Sequence, residues 1–243
     1  MNGIVIFEKS GITDKIRIIK KEEIKYKNKT VAVYKLSKIN KKINLKLIKK
    51  LKKDNIKKLA FQNGINPCDF ERDFEVITRE KIITDNINKV ISKASKTLGI
   101  KKGTLVLALS VNENNIEILN KLKGITNRIK YIYLYCKNTE KANLYADKFY
   151  EETGVSVIVK NELKNDKSDI LIYMGEEFES SDAGFIFDVT GKLKKEIKAL
   201  SEIKINLPPE LDKYKINNLI IAELFDINLS IMGFARKTLD TSD

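Results

Sequence analysis

Histidine is absent from this 243-residue sequence, and cysteine, proline and glycine are scarce, with 2, 3 and 11 residues. Without an imidazole there can be no Ser-His-Asp or Cys-His nucleophile system, no histidine general base and no histidine-containing zinc or iron site. Any catalysis would have to use Asp, Glu, Lys, Tyr, Ser, Thr or Cys. The composition is otherwise that of a globular protein, with 42% hydrophobic and 33% charged residues.

The chain also lacks the marks of a membrane or secreted protein. No stretch approaches the ~18 uninterrupted apolar residues of a membrane span, and the start has no basic region ahead of its short apolar run. Cys68 and Cys136 have no CxxC spacing, so we interpret them as reduced, packed thiols and not as a disulfide or metal site. We therefore expect a cytoplasmic protein without a bound metal. The sequence identifies no partner, and a protein partner or self-association is possible.

The formal net charge of +13 is concentrated in one part of the chain. Residues 1–66 carry 19 basic and 5 acidic side chains, whereas residues 67–243 carry 27 and 28. Lysine supplies 41 of the 46 basic residues, and lysine, isoleucine and asparagine all have A/T-rich codons. An A/T-rich genome, such as those of many low-GC Gram-positive anaerobes, would raise the lysine content without selection for a basic surface.

The first 77 residues predict a small basic α+β domain. Apolar alternation and then a helical apolar stripe indicate three strands, a helix and a fourth strand, over 3–7, 16–19, 30–36, 43–51 and 59–61. An acidic connector over 69–75 follows. A linking helix over 83–98, which ends at Gly99, then leads into a second domain. The predicted domains are 1–77 and 78–243.

The second domain alternates apolar strands with helices. Strands are predicted over 104–109, 129–135, 155–159, 169–174, 184–189 and 203–206, with helices at 116–122 and before Gly154, and a buried helix over 216–225. This alternation is typical of βαβ units with right-handed crossovers. The fold class is therefore α/β: a doubly wound, mostly parallel Rossmann-like sheet preceded by the small α+β domain.

Ligands of such a sheet bind beyond the carboxyl ends of the strands, where the strand order reverses. A dinucleotide enzyme needs glycines after the first strand, because only a residue without Cβ lets the backbone approach the pyrophosphate. Here the first strand ends at Ser110, Asn112 follows without any glycine, and Glu113 places a carboxylate where a phosphate would sit. We predict that Asn114 or Asn115 caps the next helix, and Ser110 and Asn112 are kept as candidate cofactor contacts.

The second strand is followed by Lys137-Asn138-Thr139, with Lys141-Ala142 after Glu140. Here the sequence resembles the NADP-binding domain of shikimate dehydrogenase and glutamyl-tRNA reductase type proteins, whose second strand commonly ends Asn-Arg-Thr-x-x-Lys/Arg-Ala. The resemblance covers about residues 101–200 and implies that Lys137 stands for the Arg that holds the 2′-phosphate of NADP, with Asn138 and Thr139 beside it. This chain is one residue shorter between Thr and Lys.

Neither that family's glycine motif nor its catalytic Lys/Asp pair, nor the nucleophilic Cys and His of the reductases, is identified in this chain. The resemblance therefore implies a degenerate Rossmann-like domain in an inactive or repurposed relative. The cofactor stays unknown, and NADP is the candidate that the glycine-free loop disfavours.

The fifth predicted strand ends in Asp188-Val189-Thr190-Gly191. A strand that delivers an Asp into Thr-Gly is similar to the first motif of haloacid-dehalogenase-like phosphatases, but only 55 residues follow Asp188. A simple turn that leaves the strand is the favoured interpretation. Asp188, Thr190 and Gly191 are nevertheless expected at the same sheet edge as Ser110 and Asn112, and they complete the candidate binding residues.

The stretch over 35–58 contains 11 Lys and one Asp. Lys46, Lys49, Lys50 and Lys53 form a candidate anion surface that could follow a phosphate backbone or an anionic lipid surface. The stretch has no Arg to contact bases and no aromatic residue to stack on them. A solvated helix face is therefore favoured over nucleic-acid binding.

Together these patterns predict a non-catalytic Rossmann-like protein with a ligand-sensing or protein-interaction role. Two alternatives stay open. One is an NADP-dependent oxidoreductase that uses Lys137, and the other is nucleic-acid binding through the basic N-terminal domain.

Overall fold

The computed structural model describes residues 1–7, 19–37, 40–62, 66–162, 166–175, 182–190, 193, 200–204, 207, 211, 217–225, 227 and 233–236. Contacts group the chain into two units. The first comprises Met1–Ile82 and Ile205–Ile231, and the second Ile83–Lys204 and Met232–Asp243. Each unit thus takes two stretches of chain, whereas the sequence-based division at 77/78 cuts the chain once.

The first unit is built on a mixed β-sheet. Its elements are β1 (Asn2–Phe7), β2 (Ile19–Tyr26), β3 (Lys29–Leu36), α1 (Lys41–Lys53), β4 (Lys58–Phe61) and β5 (Glu75–Ile77). The strand order is β2-β3-β1-β4-β5, with β2 antiparallel to β3 and the other pairs parallel. The predicted β-β-β-α-β order is confirmed, although β2 runs on to residue 26 and residues 16–18 lie outside the described residues. β5 begins at Glu75, the last residue of the segment interpreted as an acidic connector, and was not predicted.

Helix α1 buries a stripe of apolar side chains and exposes lysine side chains. Ile43, Leu47 and Leu51 are at most 5% exposed and pack in a core cluster with Tyr34 of β3. The helix begins after Asn40, whose side-chain oxygen accepts a hydrogen bond from the Ile43 amide at 3.0 Å. The lysines between these apolar positions face away from the core.

The predicted linking helix is two helices. They are α2 (Arg79–Asp85) and α3 (Ile87–Thr97), and Asn86 between them has φ −108° and ψ 16°, which is not helical. The apolar stripe of α3 continues the spacing of Ile83, so the periodicity alone gives no sign of the break. Gly99, with φ +69°, follows the end of α3, and the predicted glycine stop is confirmed.

The second unit contains a seven-stranded sheet among the described residues. Its strands are β6 (Leu105–Val111), β7 (Ile129–Tyr135), β8 (Val157–Lys160), β9 (Ile170–Met174), β10 (Phe185–Asp188), β11 (Leu200–Lys204) and β12 (Gly233–Arg236). The order is β12-β11-β10-β9-β6-β7-β8, and β12 alone of these strands is antiparallel to its neighbour. Counted from β6, strands one to six stand in the order 3-2-1-4-5-6, the Rossmann order. The predicted doubly wound, mostly parallel Rossmann-like sheet is confirmed.

Strand order in this sheet reverses between β6 and β9. The chain runs from β6 outward to β8 and then returns to β9 on the other side of β6. The connection from β6 to β7 contains α4 (Ile118–Leu122) and a 3-10 helix (Lys123–Arg128). The connection from β7 to β8 contains α5 (Thr139–Thr153). α5 ends at Gly154, with φ +72°, as predicted.

A short helix late in the chain, α6 (Asn218–Leu224), belongs to the first unit. Its residues from 219 to 222 are at most 6% exposed, which confirms the prediction of a buried helix. The Asn2 side chain donates a hydrogen bond to the Leu224 carbonyl at 2.8 Å, and the ring of Phe225 meets that of Tyr26 edge-on at 6.2 Å. Within the described ranges, no helix combines the length and the apolar content needed to cross a bilayer.

Candidate functional site

Polar side chains form a row across the carboxyl ends of five strands in the second unit. The pairing register places in this row Asp188, Tyr173, Ser110, Tyr135 and Lys160, on β10, β9, β6, β7 and β8. Paired residues of parallel strands project from the same face, so all five belong to one side of the sheet. Ser110 is only 1% exposed, and it is separated from Asp188 by β9.

Asparagine side chains occupy the point where the strand order reverses. The Asn115 side chain donates a hydrogen bond to the Met174 carbonyl at 3.3 Å, which joins the loop after β6 to the end of β9. The side-chain nitrogen of Asn112 lies close to Gly175, so that a Cβ atom at position 175 would be 3.2 Å from this nitrogen. In a dinucleotide-binding Rossmann domain this crevice receives the pyrophosphate. Here the Asn112 and Asn115 side chains lie at this crevice.

The loop after β6 turns on itself before any helix starts. The Asn112 side-chain oxygen accepts a hydrogen bond from the Asn114 amide at 3.1 Å, a local turn of the kind that asparagine favours. α4 begins only after Glu117, which makes no side-chain cap. The prediction that Asn114 or Asn115 caps this helix is therefore wrong, because their polar groups serve the turn and the link to β9.

Two loops predicted to carry the site are joined by a hydrogen bond. The Asn138 side chain donates to the Glu113 carboxylate at 3.2 Å. The Asn138 side-chain oxygen also accepts from the Lys141 amide at 3.1 Å and so caps α5. Asn138 thus holds the loop after β6 against the start of α5, and the Glu113 carboxylate is directed to this neighbour.

A cleft of about 530 Å³ lies beyond the carboxyl ends of β7 and β8. It is lined by Lys137, Thr139, Val159, Lys160, Asn161 and Glu162. Two of the eight predicted cofactor contacts, Lys137 and Thr139, lie on its wall, and Asn138 stands between them in the chain. The other lining residues belong to β8 and the residues after it, where no binding residue was predicted from the sequence.

Backbone amides at the start of α5 are largely satisfied within the protein. The Thr139 amide donates to the Lys137 carbonyl at 3.1 Å, and the Ala142 amide to the Asn138 carbonyl at 3.1 Å. The Asn138 side chain takes the Lys141 amide. An anion in the cleft would therefore meet lysine and threonine side chains more than free helix amides.

One wall of the cleft is fixed by a hydrogen-bonded triad. Asp166 accepts from the Tyr135 hydroxyl at 2.8 Å and from the Lys160 ammonium at 2.5 Å. The same ammonium lies 4.9 Å from the centre of the Tyr133 ring. Tyr131, Tyr133 and Tyr135 alternate along β7 and therefore share a face, a sequence signal that could have identified this cluster.

Charges and burial shift the pKa values in this triad in opposite directions. Burial, together with the hydrogen bond to Asp166, raises the pKa of the Tyr135 hydroxyl well above its usual range. Burial would also raise the pKa of the Asp166 carboxyl, but hydrogen bonds from Lys160 and Tyr135 outweigh it and hold that pKa below its usual range. The tyrosine stays protonated and the carboxylate ionised at neutral pH.

Asp188 accepts hydrogen bonds from residues that follow it closely in the chain. Its carboxylate accepts a hydrogen bond from the Thr190 hydroxyl at 2.8 Å and another from the Leu193 amide at 2.8 Å. Asp188 is 6% exposed. These bonds are those of a turn that leaves a strand, which is the favoured interpretation of this motif. Gly191 lies outside the described residues.

The candidate anion surface lies on α1 in the first unit. Lys46, Lys49 and Lys53 are exposed, and Lys50 is half-buried. Over the part of the chain that the structure describes, no group of three or more Cys, Asp or Glu side chains is arranged to hold a metal ion.

Comparisons with known proteins rest on structure alone, since neither a protein-family model nor a curated protein matches the sequence. L-tryptophan dehydrogenase from Nostoc punctiforme aligns at a TM-score of 0.38 and 12% identity over 64% of this chain and 50% of its own. A shikimate 5-dehydrogenase-like protein gives 0.30 and 11% over 58% and 53%. Ligand-free 5-ketofructose reductase of Gluconobacter sp. strain CHM43 gives 0.32 and 11% over 59% and 57%.

This chain spans about half the length of these structures. Their TM-scores lie below 0.5, so we draw nothing about activity from them. The class of the second unit, a Rossmann-like domain, follows from its strand order.

Proposed function

We propose that this protein is a non-catalytic, ligand-sensing Rossmann-like protein, and that its ligand is a phosphorylated adenosine such as the 2′-phosphoadenosine end of NADP. The cleft beyond β7 and β8 carries this proposal. It lies where a Rossmann domain receives the adenosine ribose, after the second strand.

Lys137 and Thr139 supply the chemistry for a ribose phosphate. A lysine ammonium is a point charge with three donors, and a threonine hydroxyl adds a further donor. Lys160 adds a second positive charge to the wall, although Asp166 neutralises part of it. Glu162 on the same wall can accept hydrogen bonds from ribose hydroxyls or from the adenine amino group.

The asparagine side chains at the crevice between β6 and β9 argue against hydride transfer. A nicotinamide dinucleotide must pass its pyrophosphate through this crevice, and that passage needs a close approach of backbone without side chains. Asn112 and Asn115 occupy the approach, and Asn115 is bonded across it to β9. The adenosine half can bind in the cleft while the nicotinamide half has no prepared path.

An NADP-dependent oxidoreductase is the second candidate, favoured by the Rossmann strand order together with a lysine after the second strand. The two candidates differ in what the nicotinamide half contributes to binding. A sensor of phosphorylated adenosine binds adenosine 2′,5′-bisphosphate as tightly as NADP. An oxidoreductase binds NADP more tightly, because it also contacts the other half.

Calorimetric titration of the full chain tests the proposal with four ligands: adenosine 2′,5′-bisphosphate, NADP, 5′-AMP and NAD. We expect the two ligands with a 2′-phosphate to bind equally and the other two at least about tenfold more weakly, because a hydrogen bond to a charged group contributes about 1.5–3 kcal/mol. Lys137→Gln should abolish this preference. Lys148→Gln, an exposed lysine on α5, is the matched control and should keep it.

Three outcomes would contradict the proposal. Failure of all four ligands to bind removes the adenosine site. NADP binding more than tenfold tighter than the bisphosphate favours the oxidoreductase. An equal loss of affinity in Lys137→Gln and Lys148→Gln shows that only overall charge attracts the ligand.

A further inference from the structure

Four lysines of α1 form a straight stripe on its exposed side. Lys42, Lys46, Lys49 and Lys53 follow the i, i+4, i+7, i+11 spacing, which keeps them within about 60° of one another around the helix axis. All four side chains are exposed. Ile43, Leu47 and Leu51, which pack into the core, lie on another face of the helix, centred about 130° away around the axis.

These four lysines make no ion pair with the carboxylates of the described residues, which sets them apart from several lysines elsewhere in the chain. Lys52, on the flank of the same helix, pairs with Asp73 at 2.6 Å, and Lys58, Lys81 and Lys121 also have carboxylate partners. α1 itself contains no acidic residue. The stripe therefore presents positive charge that neighbouring carboxylates leave uncompensated.

The length of the stripe suits a nucleic-acid backbone. Eleven residues of helix span about 17 Å, and one strand of a duplex carries a phosphate about every 3.4 Å along its axis. A 17 Å length of duplex axis therefore offers about five phosphates on each strand, which is enough to contact four ammonium groups. It carries no arginine or aromatic residue, so it offers neither the bidentate contacts nor the stacking that would read bases.

We propose that α1 binds the phosphate backbone of nucleic acid through Lys42, Lys46, Lys49 and Lys53, independently of base sequence. This surface does not depend on the cleft of the second unit. A membrane surface fits it less well. Leu45 is the one large apolar side chain of α1 that is exposed, at 55%. A flat anionic surface would also meet the Asp73 carboxylate on the flank of the helix, where it pairs with Lys52.

Fluorescence anisotropy on the full chain tests this proposal, with a 20-base-pair duplex as the probe between 50 and 200 mM salt. Four lysine–phosphate contacts predict a slope of about −3.6 in a plot of log affinity against log salt, which is about a 150-fold loss over this range. The triple variant Lys46→Gln, Lys49→Gln, Lys53→Gln should reduce the slope by about 2.7.

Helix α3 provides a matched control. The triple variant Lys89→Gln, Lys93→Gln, Lys96→Gln removes the same charge from exposed lysines of similar helical spacing and should keep the wild-type slope. A shuffled duplex should bind equally well. Circular dichroism spectra that match the wild type confirm that both triple variants are folded.

The proposal is overturned if the wild type fails to bind the duplex at 50 mM salt, or if the α3 variant loses as much binding as the α1 variant. It is also overturned if vesicles with 30% phosphatidylserine bind through the α1 lysines while the duplex does not. A shallow salt slope, near −1, would likewise exclude a four-lysine contact.

Discussion

The bond between Tyr135 and Asp166 allows a sharp test of how the cleft wall is held. Tyr135→Phe removes one hydroxyl from a ring that is 2% exposed and leaves the rest of the ring in place. The lost hydrogen bond has an ionised acceptor at 2.8 Å, and such bonds contribute about 1.5–3 kcal/mol. The Asp166 side chain is 18% exposed, so water replaces part of the bond. We expect the free energy of unfolding to fall by about 1.5 kcal/mol at pH 7, near the lower end of that range.

The pH dependence follows from the direction of the Asp166 shift. Folding lowers the pKa of this carboxyl below its ordinary value of 3.8, so its contribution to stability is complete above that pH and is lost as the pH falls through the folded-state pKa. In Tyr135→Phe a donor is gone, and the folded-state pKa rises toward the ordinary value. The difference between wild type and variant should therefore be constant from pH 8 to about 5 and shrink below about pH 4.

Urea unfolding followed by far-ultraviolet circular dichroism measures this difference, since the chain has no tryptophan for fluorescence. Tyr150→Phe, on a ring that is 55% exposed, is the control and should change stability by less than about 0.5 kcal/mol. A loss in Tyr135→Phe that is equally small, or that has the same size at pH 3 as at pH 7, would refute the role of the charged hydrogen bond.

Two further perturbations test the elements around the cleft and the first core. Asn138→Ala removes the cap of α5 and the link to Glu113, and should lower both the thermal midpoint and the free energy of unfolding, the latter by about 1 kcal/mol. Asn143→Ala, on the exposed side of α5, is the control and should change neither. Equal effects of the two substitutions would mean that the cap contributes nothing. Tyr34→Phe removes the 2.7 Å hydrogen bond from the Tyr34 hydroxyl to Asp54, and in the wild type this bond lowers the pKa of the Asp54 carboxyl. The loss in the free energy of unfolding, measured with urea, should therefore be full at neutral pH and decline as the pH falls below about 4. A loss that does not depend on pH would contradict this.

Local patterns were sufficient to predict most elements of the fold. The apolar stripe of α1, the glycines after α3 and α5, and the continuous apolar runs of β6 and β9 each reflect a requirement of their own segment. β5 was missed because three residues at the end of an acidic run carry too little alternation. The break at Asn86 was missed because the apolar spacing continues across it. α6 is apolar on several faces, so its sequence does not indicate that it belongs to the first unit.

The candidate site was predictable only as a location. Strand ends placed Lys137 and Thr139 at the carboxyl edge of the sheet, where both line the cleft, because parallel strands share that edge. The partners are set by tertiary contacts: Asn138 meets Glu113 across 25 residues, and Tyr135 meets Asp166 across 31. The residues on β8 and after it that complete the cleft follow no motif and became evident from the fold alone.

The route of the chain through its two units has a consequence for biosynthesis. α6 buries its apolar residues in a unit whose first strand was made more than two hundred residues earlier. The ribosome therefore exposes the strands of the first unit long before the helix that completes it is available, while most of the Rossmann-like unit emerges in between. A nascent chain that stalls before residue 218 would leave the first unit without α6, with part of its apolar surface open to chaperones and proteases.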